Sequence, residues 1–344
     1  MRFFASDNYA TIHPKILQAL EAANVGHASA YGADPWSEKL QQKIKKLFGP
    51  RAEAFPVFNG TGANVVSLLA LTKSYEAILC SDVSHIHVDE CGAPEKIIGV
   101  KLIDISSQNG KLNPERILSH TLNYGNEHQV QGKVLSLTQS TEKGTLYSLD
   151  ELRALKEFCL QKKIKVHMDG ARFANAVAAM NVSPQEIVEA GGVDMLSLGG
   201  TKNGLMLGEL VVSFNEEASS QMKFYRKQAM QLSSKMRYIS AQFCEYLEND
   251  LWIENAKHAN AMAGLLASEL SSVSSVELSE KPEVNAVFAR IPKAMIEPLQ
   301  RDFPFYVWDE LIHEGSDCSE VRWMCSFDTQ EEDVLSFVKK LKSF

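Results

Sequence analysis

Short apolar runs alternate with amphipathic stretches between about residues 50 and 215 of the chain. Their length and their content of Val, Ile and Leu are typical of buried strands. The runs lie at 55–59, 77–82, 101–106, 133–139, 164–170, 194–199 and 208–215. This alternation predicts the α/β class, with a mainly parallel sheet flanked by helices.

The segments between these runs have sequence features that predict helices. The stretch 62–72 follows the first run and predicts a helix. Two later stretches begin with a capping box, in which a serine and a glutamate three residues later bond each other's backbone N–H groups. The boxes are Ser148 with Glu151 and Ser183 with Glu186, and the second has proline at its first helical position.

The pattern changes after residue 215. Residues 216–272 are almost wholly helical in pattern. The remaining chain predicts strands at 284–291, 305–311 and 320–327 and helices at 293–303 and 331–341. We therefore expect a large domain over residues 1–245, including the N-terminal segment, and a small C-terminal α+β domain over 246–344.

Composition narrows the class of protein. A chain of 344 residues with 45% hydrophobic residues can bury a large core, and about two domains are expected at this length. The net charge of -8 argues against a general nucleic-acid binder. We find no signal-peptide core and no apolar segment long enough to span a membrane. The six scattered cysteines suit reduced thiols, so we expect a soluble cytoplasmic enzyme.

The first candidate site follows the run at 55–59. Gly60, Thr61 and Gly62 stand at the start of the predicted helix, where free backbone N–H groups and a hydroxyl suit a phosphate. The Walker A pattern is absent, and Val65 replaces the third glycine of the dinucleotide-binding fingerprint. Simple helix entry is the alternative explanation of these glycines.

Two further polar groups belong to the segments CSDVSHIHVDECG and IKVHMDGAR. Asp169 ends a predicted strand, and its carboxylate could cap a helix or could hold a protonated ring nitrogen. His85, His87 and Glu90 could bind a metal, but the two histidines point the same way only in an extended segment. Because no third ligand cluster supports a metal site, we expect none.

The segment SLGGTKNG places Lys202 in a glycine-rich turn after an apolar strand. A surface loop is the ordinary explanation of such a lysine. The helix start at 60–62 could hold a phosphate, Asp169 supplies a carboxylate at a strand end, and His85 supplies a flat imidazole. Together with these groups, however, the lysine fits a site for pyridoxal phosphate. That cofactor needs an amine for a Schiff base, a dianion site and an acidic partner for its pyridine nitrogen. We expect the glycines to let the backbone approach the cofactor.

The segments FASDNY, YGADPW, FNGTGANVVSLLAL, HVDECGAPE, HMDGARFANAVAA and SLGGTKNG carry a specific resemblance. In this order, from Phe4 to about Thr329, the chain resembles the low-specificity L-threonine aldolases. The resemblance implies a pyridoxal-phosphate enzyme of the aspartate-aminotransferase-like fold. It also implies retro-aldol cleavage of L-threonine, L-allo-threonine and other β-hydroxy-α-amino acids to glycine and an aldehyde, which is acetaldehyde for threonine.

The resemblance implies a role for each motif residue. Lys202 would form the Schiff base, Asp169 would pair with the pyridinium nitrogen, and His85 would stack on the ring. The catalytic base would be His85 or a bound water. The whole cofactor-binding set would be Gly60, Thr61, Gly62, His85, Asp169, Arg172, Lys202 and Arg237.

The resemblance also implies a substrate site and an assembly. Ser6 and Arg322, together with Arg172, would bind the amino-acid carboxylate. Tyr31 and Arg237 would reach a neighbouring subunit's site, which implies a homo-oligomer such as a dimer of dimers. Many family members carry a second active-site histidine after the strand at 133–139.

This chain has Thr141 or Glu142 at the position of that second histidine, so a two-histidine mechanism is not expected. Other enzymes of the same fold remain as alternatives: a phenylserine aldolase, a β-eliminating lyase, or a cysteine desulfurase. The last would use Cys318, which lies four residues before Arg322.

Overall fold

The computed structural model describes residues 2–308 and 316–344. Seven strands form one sheet in the order β1-β7-β6-β5-β4-β2-β3. They are β1 (Glu53–Val57), β2 (Glu76–Ser81), β3 (Lys101–Ile105), β4 (Gln131–Thr138), β5 (Lys165–Gly170), β6 (Met195–Leu198) and β7 (Glu209–Ser213). The five neighbouring strands β6, β5, β4, β2 and β3 pair in parallel, and β7 runs antiparallel to both of its neighbours, β1 and β6. The predicted mainly parallel sheet is confirmed.

Helices precede, separate and follow these strands. Both predicted capping boxes form, at the starts of α7 and α9 below. The helices are α1 (Pro14–Ala23), α2 (Pro35–Phe48), α3 (Gly60–Leu71), α4 (His85–Val88), α5 (Ala93–Ile98), α6 (Pro114–Leu118), α7 (Leu149–Lys162), α8 (Phe173–Met180), α9 (Pro184–Gly191), α10 (Glu216–Gln228) and α11 (Arg237–Tyr246).

The sheet has an apolar core on each face. One core contains buried side chains of α2, α7, α8, α9 and α11, and the other contains those of α3 and α10. A strand that is covered on both faces buries consecutive side chains, not alternate ones. This explains why the strands appear in the sequence as continuous apolar runs.

A second, smaller sheet follows the long helix α12 (Leu251–Leu270). Its strands are antiparallel in the order β10-β11-β9-β8. The elements are β8 (Glu277–Leu278), β9 (Ala286–Pro292), α13 (Lys293–Gln300), β10 (Tyr306–Val307), β11 (Cys318–Met324) and α14 (Glu331–Leu341). Strand β8 was not predicted, and residues 309–311 of the strand predicted at 305–311 lie outside the described residues.

The N-terminal segment packs against this second unit. Phe4 is fully buried in the second unit's core, with its ring centroid 4.9 Å from that of Phe337. The Phe4 N–H donates to the Pro304 carbonyl, and its own carbonyl accepts from the Met324 N–H. Three residues later, Asp7 pairs with Arg172, which follows the end of β5 in the large sheet. The division into 1–245 and 246–344 remains our proposal, with Phe4 contributing to the second core.

No helix among the described residues is long and apolar enough to cross a membrane.

Candidate active site

One cavity lies where α3, α4 and the carboxyl ends of β4, β5 and β6 meet. It encloses about 430 Å³ of space that is partly open to solvent. In an open α/β sheet this edge is the usual position of a ligand site. The cavity is lined by Gly60, Asn64, His85, Glu90, Thr138, Ser140, Glu142, Asp169, Ala171, Arg172 and Lys202. Five of the eight residues expected to bind the cofactor are therefore brought together here: Gly60, His85, Asp169, Arg172 and Lys202.

The turn that contains Lys202 and the two glycines before it pack closely against neighbouring residues. Lys202 lies in a single 3-10 turn that follows the end of β6. A Cβ atom on Gly199 would lie 2.2 Å from the carbonyl oxygen of Ala171, and one on Gly200 would lie 2.4 Å from Leu205. Packing within the protein thus accounts for these two glycines, whereas we had expected them to admit the cofactor.

The surroundings of Lys202 favour its neutral amine. Burial and the positive charge of Arg172 lower the pKa of Lys202. Glu209 of β7 accepts the Gly200 N–H behind the turn. Burial raises the pKa of Glu209 to about 7. An amine with a lowered pKa is a better nucleophile near neutral pH.

Asp169 is buried at the end of β5 and remains ionised. It accepts hydrogen bonds from the Ala171 N–H and from the Asn64 amide, each at 2.9 Å. Burial alone would raise the pKa of Asp169. The charge of His85 and these two hydrogen bonds outweigh that effect and lower it. A buried carboxylate of this kind can hold a protonated ring nitrogen.

His85 begins α4, so the extended conformation needed for a two-histidine metal site is absent. His87 is exposed, whereas His85 faces the cavity with Nδ1 2.9 Å from Oε1 of Glu90. This hydrogen bond raises the pKa of His85. In the part of the chain that the structure describes, no group of three or more His, Cys, Asp and Glu could hold a metal ion.

Asn64 and Glu90 connect the histidine to the aspartate. The Asn64 amide donates to Glu90 at 2.8 Å and to Asp169 at 2.9 Å. Asn64 was not predicted as a site residue, and Glu90 was considered only as a metal ligand. The available signal was that Asn64, like Ser67, is a polar residue within the mainly apolar stretch 63–71 of α3.

The start of α3 offers a partial anion site. The N–H groups of Gly60 and Thr61 have no intrahelical acceptor, as at any helix start. The N–H of Gly62 is already bound by the Asn59 side chain at 2.7 Å. A Cβ on Gly62 would lie 2.3 Å from Gln231, whose side chain accepts the Phe58 N–H. Gly62 therefore makes room for Gln231, a neighbour that the sequence did not indicate.

Arg172 reaches the cavity from a fixed position. Its guanidinium binds both carboxylate oxygens of Asp7, at 2.7 and 2.8 Å. Asp7 is itself buried and also accepts from Asn285 at 3.1 Å. Asp7 belongs to the motif FASDNY, and its pairing with Arg172 was not predicted.

Arg322 lies on β11 beside the same N-terminal segment. It donates to the Ala5 carbonyl at 3.3 Å, and its guanidinium carbon is 4.5 Å from the Trp308 ring centroid. Among the described residues its buried Nε has no hydrogen-bond partner. Burial and the charge of Arg172 lower the pKa of Arg322 to about 10. Ser6, which caps the adjacent turn, follows Ala5 directly.

Of the two residues expected at the position of a second histidine, Glu142 lines the cavity. Its Oε1 accepts from the His85 N–H at 2.9 Å and from the Thr138 hydroxyl at 2.8 Å. Burial and the charge of Asp169 raise the pKa of Glu142 to about 7. Thr141 is buried and bonds the hydroxyl of Thr145 instead.

Tyr31 and Arg237 do not line the cavity of their own chain. Tyr31 is 53% exposed, with the Lys227 ammonium 5.2 Å from its ring centroid. Arg237 donates to the carbonyls of Val25 and Gly26.

Comparison with known proteins identifies the family of the chain. The model of the Beta-eliminating lyase family matches residues 4–294. A low specificity L-threonine aldolase of a Pseudomonas species is 40% identical over 99% of this chain and 97% of its own length. That of Pseudomonas aeruginosa is 41% identical over 98% of this chain and 96% of its own. A solved threonine aldolase from Leishmania major superposes with a TM-score of 0.94 at 27% identity, covering 100% of this chain and 99% of that one. The chain therefore belongs to the beta-eliminating lyase family and, within it, to the low-specificity L-threonine aldolases.

Proposed function

We propose that this protein is a pyridoxal-phosphate-dependent aldolase. It cleaves L-threonine, L-allo-threonine and other β-hydroxy-α-amino acids to glycine and an aldehyde. The observation that carries the proposal is the meeting of Lys202 and the ionised Asp169 in one cavity. The open N–H groups at the start of α3 complete a donor set that fits the cofactor.

The bound cofactor supplies an electron sink for the bonds to the substrate's Cα. Lys202 would hold the cofactor covalently, and Asp169 would keep its ring nitrogen protonated. Gly60 and Thr61 would bind its phosphate through their N–H groups, and Gly62 leaves space for Gln231 beside them. His85 would contact the ring.

The substrate carboxylate is held by Arg322 and Ser6, with Arg172 beside them. An anion bound by Arg322 would satisfy the Nε that has no partner among the described residues. Holding the carboxylate fixes the rotation about the bond between the substrate's amino nitrogen and Cα. This rotation determines which of the other bonds to Cα is aligned for cleavage. The ion pair between Asp7 and Arg172 keeps Arg172 in this position.

A homo-oligomer completes the site in this proposal. Tyr31 and Arg237 do not line their own chain's cavity, and several large apolar side chains are exposed. Tyr31, Phe58, Phe224 and Met230 are examples. A second copy that covers this surface would receive Tyr31 and Arg237 at its own site, and a dimer of dimers is the expected form. Sedimentation of the purified protein tests this assembly. A cytoplasmic location is supported by six free cysteines.

The decisive experiment compares wild type with Lys202→Ala. We expect the wild type to be yellow, to retain the cofactor covalently after borohydride reduction, and to release acetaldehyde from L-threonine. The variant should retain no covalently bound cofactor after reduction and should release little or no acetaldehyde. His85→Ala should slow turnover without abolishing it, and the exposed His87→Ala should leave it unchanged.

Two outcomes would overturn the proposal. A protein that cannot be reconstituted with pyridoxal phosphate would remove its basis. A yellow protein that releases no aldehyde from threonine or phenylserine would favour a β-eliminating lyase. A desulfurase is disfavoured because Cys318 does not line the cavity.

A further inference from the structure

We propose that Glu142 is the general base that takes the proton from the substrate's β-hydroxyl group. This inference rests on the proposed aldolase function and names one of its catalytic residues. The supporting observations are the position of the carboxyl group in the cavity and the different hydrogen bonding of its two oxygens.

The two carboxyl oxygens of Glu142 have different surroundings. Oε1 is held by two donors, the His85 N–H from α4 and the Thr138 hydroxyl from β4. Oε2 is buried and, among the described residues, has no hydrogen-bond partner. A buried carboxylate oxygen without a partner is costly, so such an oxygen indicates a donor that arrives with a ligand. The hydroxyl group of a β-hydroxy-α-amino acid is a donor of this kind.

The charge around Glu142 suits a base that works near neutral pH. Burial and the negative charge of Asp169 raise its pKa to about 7. A general base is most effective when its pKa lies close to the working pH. The titratable and charged groups that face it come from β2, β5, α4 and the loops after β4, β5 and β6. They are Cys80, Asp169, His85, Tyr147, Arg172 and Lys202, and Glu90 in the loop after α4 lines the same cavity.

His85 is less suited to this role. Its Nδ1 is bonded to Glu90, and this bond raises the pKa of the imidazole and so favours its protonated form. A protonated imidazole cannot accept another proton. Its ring is better placed to lie against the cofactor, while its backbone N–H fixes the carboxyl group of Glu142.

The step balances without any other reactant. The Glu142 carboxylate removes the hydroxyl proton, and the electron pair of that O–H bond forms the C=O bond of the aldehyde. The bond between Cα and Cβ breaks, and its electron pair stays with Cα, stabilised by the bound cofactor. Cα then gains one proton to give glycine, and Glu142 releases one to solvent, so the number of protons is conserved.

The variant Glu142→Gln tests this role with little structural change. The amide oxygen can accept from both His85 and Thr138, but the other position becomes an NH₂ group that cannot take a proton. We expect kcat for threonine cleavage by the holoenzyme to fall by about 10²- to 10⁴-fold, the usual contribution of a general base. Exchange of the glycine α-proton in D₂O involves no β-hydroxyl, so its rate should stay within about threefold of wild type. The exposed Glu127→Gln serves as control and should change neither rate.

Two further readouts separate catalysis from structure. In wild type, kcat/KM for threonine should rise with pH through about 7, because only the ionised Glu142 acts as a base. Infrared difference spectra of the purified full-length protein should show a carboxylic C=O band that disappears over the same pH range. In Glu142→Gln the rise of kcat/KM should be absent, and the C=O band should shrink to the part contributed by Glu209, whose pKa is also raised to about 7. Glu142→His should recover part of the cleavage rate, since imidazole can also accept a proton.

Equal slowing of cleavage and glycine exchange in Glu142→Gln would indicate a structural role and overturn the inference. An unchanged cleavage rate would overturn it as well, while leaving the aldolase function intact. A wild type that exchanges the glycine proton but releases no aldehyde would overturn both the function and the inference. The wild-type assay therefore distinguishes the two failures.

Discussion

Arg172 and Asp7 form a two-pronged ion pair between the end of β5 and the N-terminal segment. The contacts are 2.7 Å from Nε to Oδ2 and 2.8 Å from Nη2 to Oδ1. The Asp7 side chain is 1% exposed, so the pair is shielded from water. Such planar pairing gives geometric precision as well as attraction. Arg172, which we propose lies beside the substrate carboxylate, is therefore positioned by a residue 165 positions away in the sequence.

Replacing Asp7 with asparagine should destabilise the protein and weaken substrate binding. The change leaves the Arg172 charge buried without a counter-ion, and removing one partner of such a pair costs about 3–5 kcal/mol. Urea unfolding measures the stability of the protein. KM for threonine reports how well Arg172 and its neighbours hold the substrate carboxylate. Asp150→Asn is the matched control, because it breaks the exposed pair with Arg153. A loss no larger for Asp7→Asn than for the control would contradict this interpretation.

Glu90→Gln should lower the pKa of His85. The hydrogen bond to Glu90 is the main cause of the raised pKa, and glutamine carries no charge to stabilise the imidazolium. His85 should therefore lose its proton at a lower pH than in wild type. An NMR titration of the ring protons measures this, with the exposed His87 as internal reference. An unchanged His85 titration would show that Glu90 does not hold the imidazole in its charged form.

Gly199→Ala and Gly264→Ala should act in opposite directions. A Cβ at Gly199 would lie 2.2 Å from the backbone oxygen of Ala171, which cannot move aside easily. We expect a loss of about 1–3 kcal/mol and weaker cofactor retention, because the turn of Lys202 must shift. At Gly264, in the middle of α12, no atom lies within 4 Å of the added Cβ. There the greater helix propensity of alanine should stabilise the protein by about 0.5–1 kcal/mol. Thermal unfolding that ranks the two variants the other way would refute the packing argument.

Glu209 should make the protein less stable as pH rises towards 7. Its pKa in the folded protein is raised from 4.5 to about 7, so folding favours the protonated form. The stabilising contribution is complete below pH 4.5 and is lost as pH rises through about 7. It amounts to about 3 kcal/mol at most, since each factor of ten in proton affinity is worth about 1.4 kcal/mol.

The variant Glu209→Gln removes this titration. Between pH 5 and pH 7 its unfolding free energy should fall less steeply with pH than that of wild type. The difference between the two slopes should correspond to about one bound proton. Above pH 7 the variant should be the more stable protein. Urea unfolding at a series of pH values measures both effects, and Glu53→Gln, an exposed change on β1, should reproduce the wild-type slope. Parallel slopes for wild type and Glu209→Gln would show that Glu209 is already ionised in the folded state.

Much of the architecture was determined by the sequence alone. The apolar runs predicted all seven strands of the large sheet, and both capping boxes form where Ser148 and Ser183 stand. These features depend on burial over a few consecutive residues and on bonds across one helical turn, which the local pattern records directly. The motifs also indicated Lys202, Asp169 and His85, because each stands where a strand or helix begins or ends beside glycine or other turn residues.

Only the tertiary structure decided which side chains hold those residues in place. Asn64 meets Asp169 across 105 positions, and Arg172 meets Asp7 across 165. The packing of Phe4 in the second core and the two-residue strand β8 were likewise not predicted. Such contacts join distant segments that the fold brings to one sheet edge, and no periodicity along the chain marks them. The local pattern determines which residues are buried, but the partner of a buried polar group depends on how the segments pack in three dimensions.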